Sequence, residues 1–258
     1  MLRYVWNFDN HIGHEWKEEK GKRVLRPTYN AKATAAWVEF VQDFKPDIVG
    51  FGGDQLNCGP VSHWRNVGEN EMGRLQEEFE MFEDLVLGPA VLRRKHVRRI
   101  WHMGNHCVWL EDIVNKNPGL RGLVSIEREL KLNERGFEVY SQGEVSKIGK
   151  CYFAHGDVIP GGINMARTAA MRYGHSIRFG HFHTYQVYTM HTPVSSDEIK
   201  SAMCVPCLAN VAPQYGQNAP NNWANGWLYG EVDERTGMFW DHVVLWVGGK
   251  ARVNGREY

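Results

Sequence analysis

The sequence predicts an α/β fold with a partly parallel sheet. Three observations predict it: helices and strands alternate over the first hundred residues, the strands are short and apolar, and most of them end at a polar or glycine-rich turn. With 258 residues, 43% hydrophobic and 23% charged, the chain can bury a sizeable core without crosslinks.

Residues 2–8 read as a short apolar strand ending at Asp9-Asn10-His11. Residues 30–44 place Ala33, Ala36, Val38, Phe40, Val41 and Phe44 at helical spacing, and Pro46 closes that helix. Residues 47–51 form a buried strand followed by Gly52-Gly53-Asp54. A second helix over 69–87 is acidic outside and apolar at Leu75, Phe79, Phe82, Leu85 and Val86. A third strand, 97–103, runs into Gly104-Asn105-His106. Beyond it, 125–135 reads as a helix stopped by Gly136, and 164–173 as another. Strands are expected at 137–140, 146–148, 152–155, 176–179, 186–190, 227–232 and 239–247, and 214–225 is a polar loop.

Composition narrows the function classes. Lys+Arg and Asp+Glu are 30 each, so the chain lacks the basic excess common in nucleic-acid binders, although bound divalent ions would add local positive charge. No apolar run approaches the roughly 20 residues of a membrane span, so no membrane partner is expected. Residues 1–10 lack the basic and apolar regions of a signal peptide. The five cysteines are odd in number and scattered, which does not suit a disulfide framework, and a reducing cytoplasm is the simplest expectation.

The turns after the strands hold metal-type ligands, and open α/β sheets gather ligands beyond the carboxyl ends of their strands. Asp9 and His11 are two apart, so in an extended segment both side chains face one side and can reach one ion. His181 and His183 share that spacing. Asp54 follows two glycines that allow a sharp turn, Asn105 follows Gly104, and His155 ends the run Tyr152-Phe153-Ala154. Such a set of Asp, His and Asn donors suits a divalent Mn, Fe or Zn ion better than Ca or Mg. Two ions about 3.5–4 Å apart would hold a bridging water and both sides of an in-line displacement at phosphorus. His106, beside a ligand, is placed to stabilise phosphoryl oxygens or protonate a leaving group.

Taken together, Asp9-x-His11, Gly53-Asp54, Gly104-Asn105-His106, His155 and Gly180-His181-x-His183 resemble, in order, the motifs of calcineurin-like metallophosphoesterases. The resemblance spans residues 9 to 183. It implies a four-layer αββα sandwich of two mixed sheets flanked by helices. It also implies that Asp9, His11, Asp54 and His183 hold one ion, that Asp54, Asn105, His155 and His181 hold the other, and that His106 is the catalytic histidine. A single domain over 1–258 is expected, with the motifs in 1–190 and strands of 200–250 completing the second sheet. Two positions depart from the family pattern. Asn57 stands where an Asp is frequent, and Cys107 stands where an acid commonly supports the histidine.

Other residues have simpler readings. His14, just past the first motif, is the extra histidine best placed to meet substrate. Cys204 and Cys207 lack the second pair a zinc site needs and the context of a redox motif, so a buried structural role is expected. The basic run Arg93-Arg94-Lys95-His96 with Arg98-Arg99 reads as a solvated helix end, with tracking of a phosphate backbone as the sharper alternative. The loop after Asn57 holds His63, Trp64 and Arg65, which can stack on a base or pack at a sheet edge. The expected activity is two-metal hydrolysis of a phosphodiester by in-line attack of a metal-bridging hydroxide. The substrate would be nucleic acid, with DNA exonuclease action leading, or a nucleotide. The ions are two divalent metals, Mn foremost, with Fe or Zn as alternatives. Phosphomonoester hydrolysis is the second reading, and a non-catalytic metal-binding module the third.

Overall fold

The computed structural model describes residues 1–62, 74–92, 95–191, 199–211 and 221–258. Its elements in chain order are β1 (Leu2–Asn7), β2 (His14–Glu19), β3 (Lys22–Pro27), α1 (Ala31–Phe44), β4 (Ile48–Phe51), α2 (Leu75–Phe82), β5 (Arg98–His102), α3 (Asn105–Lys116), α4 (Ile126–Glu129), β6 (Phe137–Tyr140), β7 (Ser146–Ile148), β8 (Cys151–Ala154), α5 (Met165–Tyr173), β9 (Ser176–Phe179), β10 (Gln186–Met190), β11 (Lys200–Cys204), β12 (Gly226–Val232) and β13 (Phe239–Leu245). A short hairpin, β14 (Arg252–Val253) with β15 (Arg256–Glu257), ends the chain.

Two mixed sheets organise the molecule. The six-stranded sheet has the order β13-β12-β1-β4-β5-β6, and the five-stranded sheet the order β10-β11-β9-β8-β7. Strands β1, β4, β5 and β6 run parallel, so their carboxyl ends point the same way. Strands β8, β9 and β11 are parallel in the second sheet. β12 and β13 pair antiparallel on the β1 side of the first sheet, and β11 joins the second. This corrects the expectation that the strands after residue 200 all complete the second sheet: β12 finds its partner in the otherwise open edge of β1.

The layers follow from alternation along the strands. Tyr4, Trp6 and Phe8 leave β1 and its end on one face and meet Ile148, Phe153 and Met203 of the second sheet. Trp6 stacks on Phe153 with ring centroids 4.3 Å apart. Val5, Val49, Phe51 and Trp101 face the other way and bury Trp37, Val41, Phe82 and Leu110 of the helices. The outer face of the second sheet, through Ile177, Phe179 and Ala202, covers Met165, Ala169 and Ala170 of α5. The result is the helix–sheet–sheet–helix order expected from the sequence.

Local departures have local causes. The helix expected at 69–87 begins, among described residues, at Leu75. It widens into a π-helical segment over Glu83–Leu92 that absorbs Pro89, whose ring and missing N–H do not fit an α-helix interior. The helix expected at 125–135 is only α4, because Lys131 turns left-handed at φ 50°. The β2–β3 hairpin and α3 add elements beyond those the sequence indicated.

Candidate metal centre

The parallel strands deliver the candidate ligands to one end of the two sheets. Beyond β1 and β4 the chain keeps a backbone ladder: Asp9 N–H donates to Gly53 O, His11 N–H to Asp54 O, and Ile12 N–H to Gln55 O. The ligand residues on that ladder, and the two histidines past β9, are not extended, however. Asp9, His11, Asp54, His181 and His183 all lie at positive φ, between 48° and 68°. This corrects the argument that residues two apart share a side because they sit in a strand. Asp9 and His11 do converge, with His11 Nε2 4.0 Å from Asp9 Oδ1, but through left-handed backbone. His181 and His183 diverge, one to each half of the centre. Left-handed non-glycine residues cost of order 1–3 kcal/mol each and cluster where function demands a particular geometry.

Both aspartates are tied at one oxygen and open at the other. Asp9 Oδ2 accepts the His181 N–H at 2.7 Å, and Asp54 Oδ1 accepts the His106 N–H at 2.9 Å. Glycines let the backbone come this close. A Cβ on Gly180 would lie 2.3 Å from Asp9 Oδ2, and one on Gly104 would lie 2.1 Å from Asp54 Oδ1. The second oxygens point into the cluster. Asp9 Oδ1 is buried, has no hydrogen-bond partner among the described residues, and stands 3.4 Å from His183 Nε2. Asp54 Oδ2 stands 3.2 Å from His155 Nε2 and 4.0 Å from His106 Nε2.

The imidazoles complete two groups. His11 Nε2 and His183 Nε2 are 3.2 Å apart, and His155 Nε2 lies 3.1 Å from Asn105 Oδ1. Donors about 2.1 Å from a shared ion stand roughly 3.0–3.4 Å from one another, so these separations fit coordination without rearrangement. Asp9, His11 and His183 can hold one ion, and Asp54, His155 and His181 another; His11, Asp54 and His106 also converge. His155 Nδ1 is engaged with Gly52 O at 3.0 Å, which fixes the ring and leaves Nε2 for a ligand role. All seven residues singled out in the sequence, with His106, thus meet in one place.

The electrostatics describe a site that favours added positive charge. Burial pushes His11, His106 and His181 below the usual histidine range, which keeps them neutral as ligands must be. Burial acts on His155 in the same sense, but Asp54 and Asp9 overcome it and raise that histidine to about 10. Asp54 is held below the carboxylate range: burial would raise it, but His155 and His106 outweigh that. A divalent ion answers the same pair of carboxylates more fully than one proton does.

The remaining candidates fall elsewhere. His14 opens β2, half-buried, and belongs to none of the convergent groups. Cys204 and Cys207 are buried free thiols whose pKa burial raises, and Asn225 Nδ2 reaches Cys207 Sγ. In the basic run, Arg98 pairs with Glu138 and Arg99 reaches Arg135 O, while Arg93 and Arg94 lie outside the described residues. So do His63, Trp64 and Arg65, and residues 212–220 of the polar loop. No helix among the described residues is long and apolar enough to cross a membrane.

Sequence reasoning did not find three neighbours of the centre. Trp223 packs edge-on against His183 at 4.1 Å, and Trp109 lies 3.8 Å from His106, centroid to centroid. The Asn57 carbonyl accepts from His106 Nδ1 at 2.7 Å. Trp109 left a signal in sitting three residues after His106 on one helix face, and Asn57 stood out in the sequence only as a departure from the family pattern. Cys107 points into the core, fully buried, and not toward His106.

No protein-family model matches the chain, and no curated protein matches it in sequence. Among solved structures it is similar to a 5'-nucleotidase precursor from Thermus thermophilus, with a TM-score of 0.39 and 14% identity over 95% of this chain and 54% of that one. The chain therefore spans about half the length of that structure.

Proposed function

We propose that the chain is a two-metal phosphoester hydrolase, a phosphodiesterase acting on nucleic acid in the manner of a DNA exonuclease, or on nucleotides. The observation that carries this reading is the pair of buried aspartates, each anchored to a backbone N–H at one oxygen and turned at the other toward histidine Nε2 atoms. In this reading Asp9, His11, Asp54 and His183 hold one ion, and Asp54, Asn105, His155 and His181 hold the second.

Bound there, divalent ions would supply Lewis acidity, acidifying a water and neutralising charge on phosphoryl oxygens. The protein residues do the rest. The anchored carboxylates and the ring-locked His155 keep the donors preorganised, so little reorganisation accompanies the reaction. His106 carries its Nδ1 proton toward Asn57 O, which leaves Nε2 facing the centre at 4.0 Å from Asp54. From there Nε2 can take a proton from a water or hydroxyl in the centre, and the imidazolium so formed can hold a phosphoryl oxygen or pass that proton to the leaving oxygen.

The test is metal content followed by a substrate panel. The purified protein is expected to hold close to two Mn, Fe or Zn ions per chain, reduced in Asp54→Ala and Asn105→Ala. With Mn²⁺ added it is expected to cleave a model diester, with single-stranded DNA, double-stranded DNA and cyclic nucleotides compared alongside. Cleavage of a model monoester alone would replace the diester reading with phosphatase action. A folded protein that binds no metal would sink the proposal.

A further inference from the structure

His106 lacks an acidic neighbour in sequence, and Cys107 is turned into the core. The structure supplies a carboxylate from another element. Glu78, on α2, is only 3% exposed. Its Oε2 accepts the Cys58 N–H at 2.6 Å, and its Oε1 accepts the Gly59 N–H at 3.3 Å. The Cys58 N–H and the Asn57 carbonyl are the two ends of one peptide group. That carbonyl accepts the His106 Nδ1–H at 2.7 Å. A continuous line of hydrogen bonds thus runs from the Glu78 carboxylate through the 57–58 peptide to the imidazole.

We propose that Glu78 is a positioning residue for His106, acting through the peptide group that joins Asn57 to Cys58. The inference rests on the hydrolase reading for its consequence in turnover, but not for its geometry. A charged acceptor on a peptide N–H makes a short, strong bond and polarises the carbonyl at the other end, which becomes a better acceptor in turn. A carbonyl can only accept, so the partner nitrogen of His106 must carry the proton. That fixes one tautomer and directs the Nε2 lone pair at the centre. Trp109 lies against the ring at a centroid distance of 3.8 Å and limits its rotation. Glu78 also holds the loop itself, because Cys58 is left-handed at φ 49° and its N–H and that of Gly59 are both tied to the one side chain. A carboxylate accepts both at once with either oxygen, whereas a glutamine amide offers a single acceptor oxygen.

The experiment combines histidine NMR with a double-mutant cycle. In ¹⁵N-labelled full-length protein free of paramagnetic metal, His106 is assigned by its loss in His106→Ala. It is expected as the Nδ1–H tautomer, with a downfield, slowly exchanging Nδ1 proton. In Glu78→Gln that proton is expected to move upfield and exchange faster. On the Mn²⁺-supported diester, Glu78→Gln is expected to lower kcat roughly tenfold with KM changed little, as for other residues that orient a working side chain. Added to His106→Ala it is expected to cost nothing further. An Nε2–H tautomer in the unmutated protein overturns the proposal even if the variant does not fold. An unchanged Nδ1 proton in Glu78→Gln, or a full additional loss on the His106→Ala background, overturns it as well. If no phosphoester is cleaved while the NMR outcomes hold, the hydrolase reading fails and the positioning role stands.

Discussion

Strand β9 carries two buried polar clusters that link the same pair of sheets, and they are finished in opposite ways. Within the strand, Arg178 crosses to Asp241 on β13 and makes a two-pronged pair, Nε to Oδ2 at 2.6 Å and Nη2 to Oδ1 at 3.0 Å. Its other N–H groups reach Ile177 O, Ser201 O and Ser201 Oγ, so all five donors are used. Just past the strand, His181 and His183 meet Asp9 of the first sheet, and there a buried carboxylate oxygen and His183 Nδ1 find no hydrogen-bond partner among the described residues. A closed cluster holds sheets together. An open one, equally buried, costs stability that only a further charge can return.

That contrast breaks or sharpens in four measurements. The largest effect is expected at the closed cluster. Asp241→Ala leaves Arg178 charged, buried and unpaired, and should lower unfolding free energy by about 3–5 kcal/mol in denaturant titration while leaving metal content unchanged. Equal metal loss would show that the two clusters are not separate. At the open cluster the effect should come from the ion. Metal at about a hundredfold over its Kd should stabilise the protein by roughly 2.7 kcal/mol, and chelation should remove that gain. The third outcome follows: Asp54→Ala should sharply reduce the metal-dependent shift in Tm and cut phosphoester hydrolysis by at least ~10²-fold. A shift of the usual size in that variant would place the ion elsewhere.

The effect that is smallest near neutral pH concerns His102, a third buried polar group between the sheets. Its Nε2 meets Ser146 Oγ at 2.8 Å and its ring stacks on Tyr140. Burial, reinforced by His155, lowers its pKa to about 3. The unfolded chain therefore binds this proton first as pH falls. The stability that a neutral His102 allows is complete above about pH 6.5 and declines below it by about 1.4 kcal/mol per pH unit, down to about pH 3. Urea unfolding at stepped pH should give a slope shallower by that amount in His102→Phe. An identical slope would mean that His102 is charged in the folded protein.

Much of this was legible in the sequence for identifiable reasons. Strands β1 and β4 are largely apolar, β5 turns apolar and buried at Ile100 and Trp101, and each empties into a glycine or polar turn, so both the sheet and the ends of its strands could be read. The histidine and aspartate positions stood at those ends. What could not be read was conformational or tertiary. Nothing in Asp9-Asn10-His11 announces left-handed backbone, which arises from the ladder to Gly53 and Asp54. The β2–β3 hairpin is charged on both faces and shows no alternation to mark it. Glu78 looked like one more acid on an acidic helix. Its role depends on α2 packing under the 57–59 turn, a distance no spacing encodes.

The bond between Asp9 and His181 bridges 172 residues of chain. A centre assembled across such a separation cannot exist on a nascent or half-folded chain, because both sheets must dock before any donor meets its partners. On the proposed metal-binding reading, capture of an ion would then be a late event in the life of each molecule. The rate at which ions are taken up during refolding should then follow sheet docking and not the supply of ions, and bound metal would serve as a clock for the last step of folding.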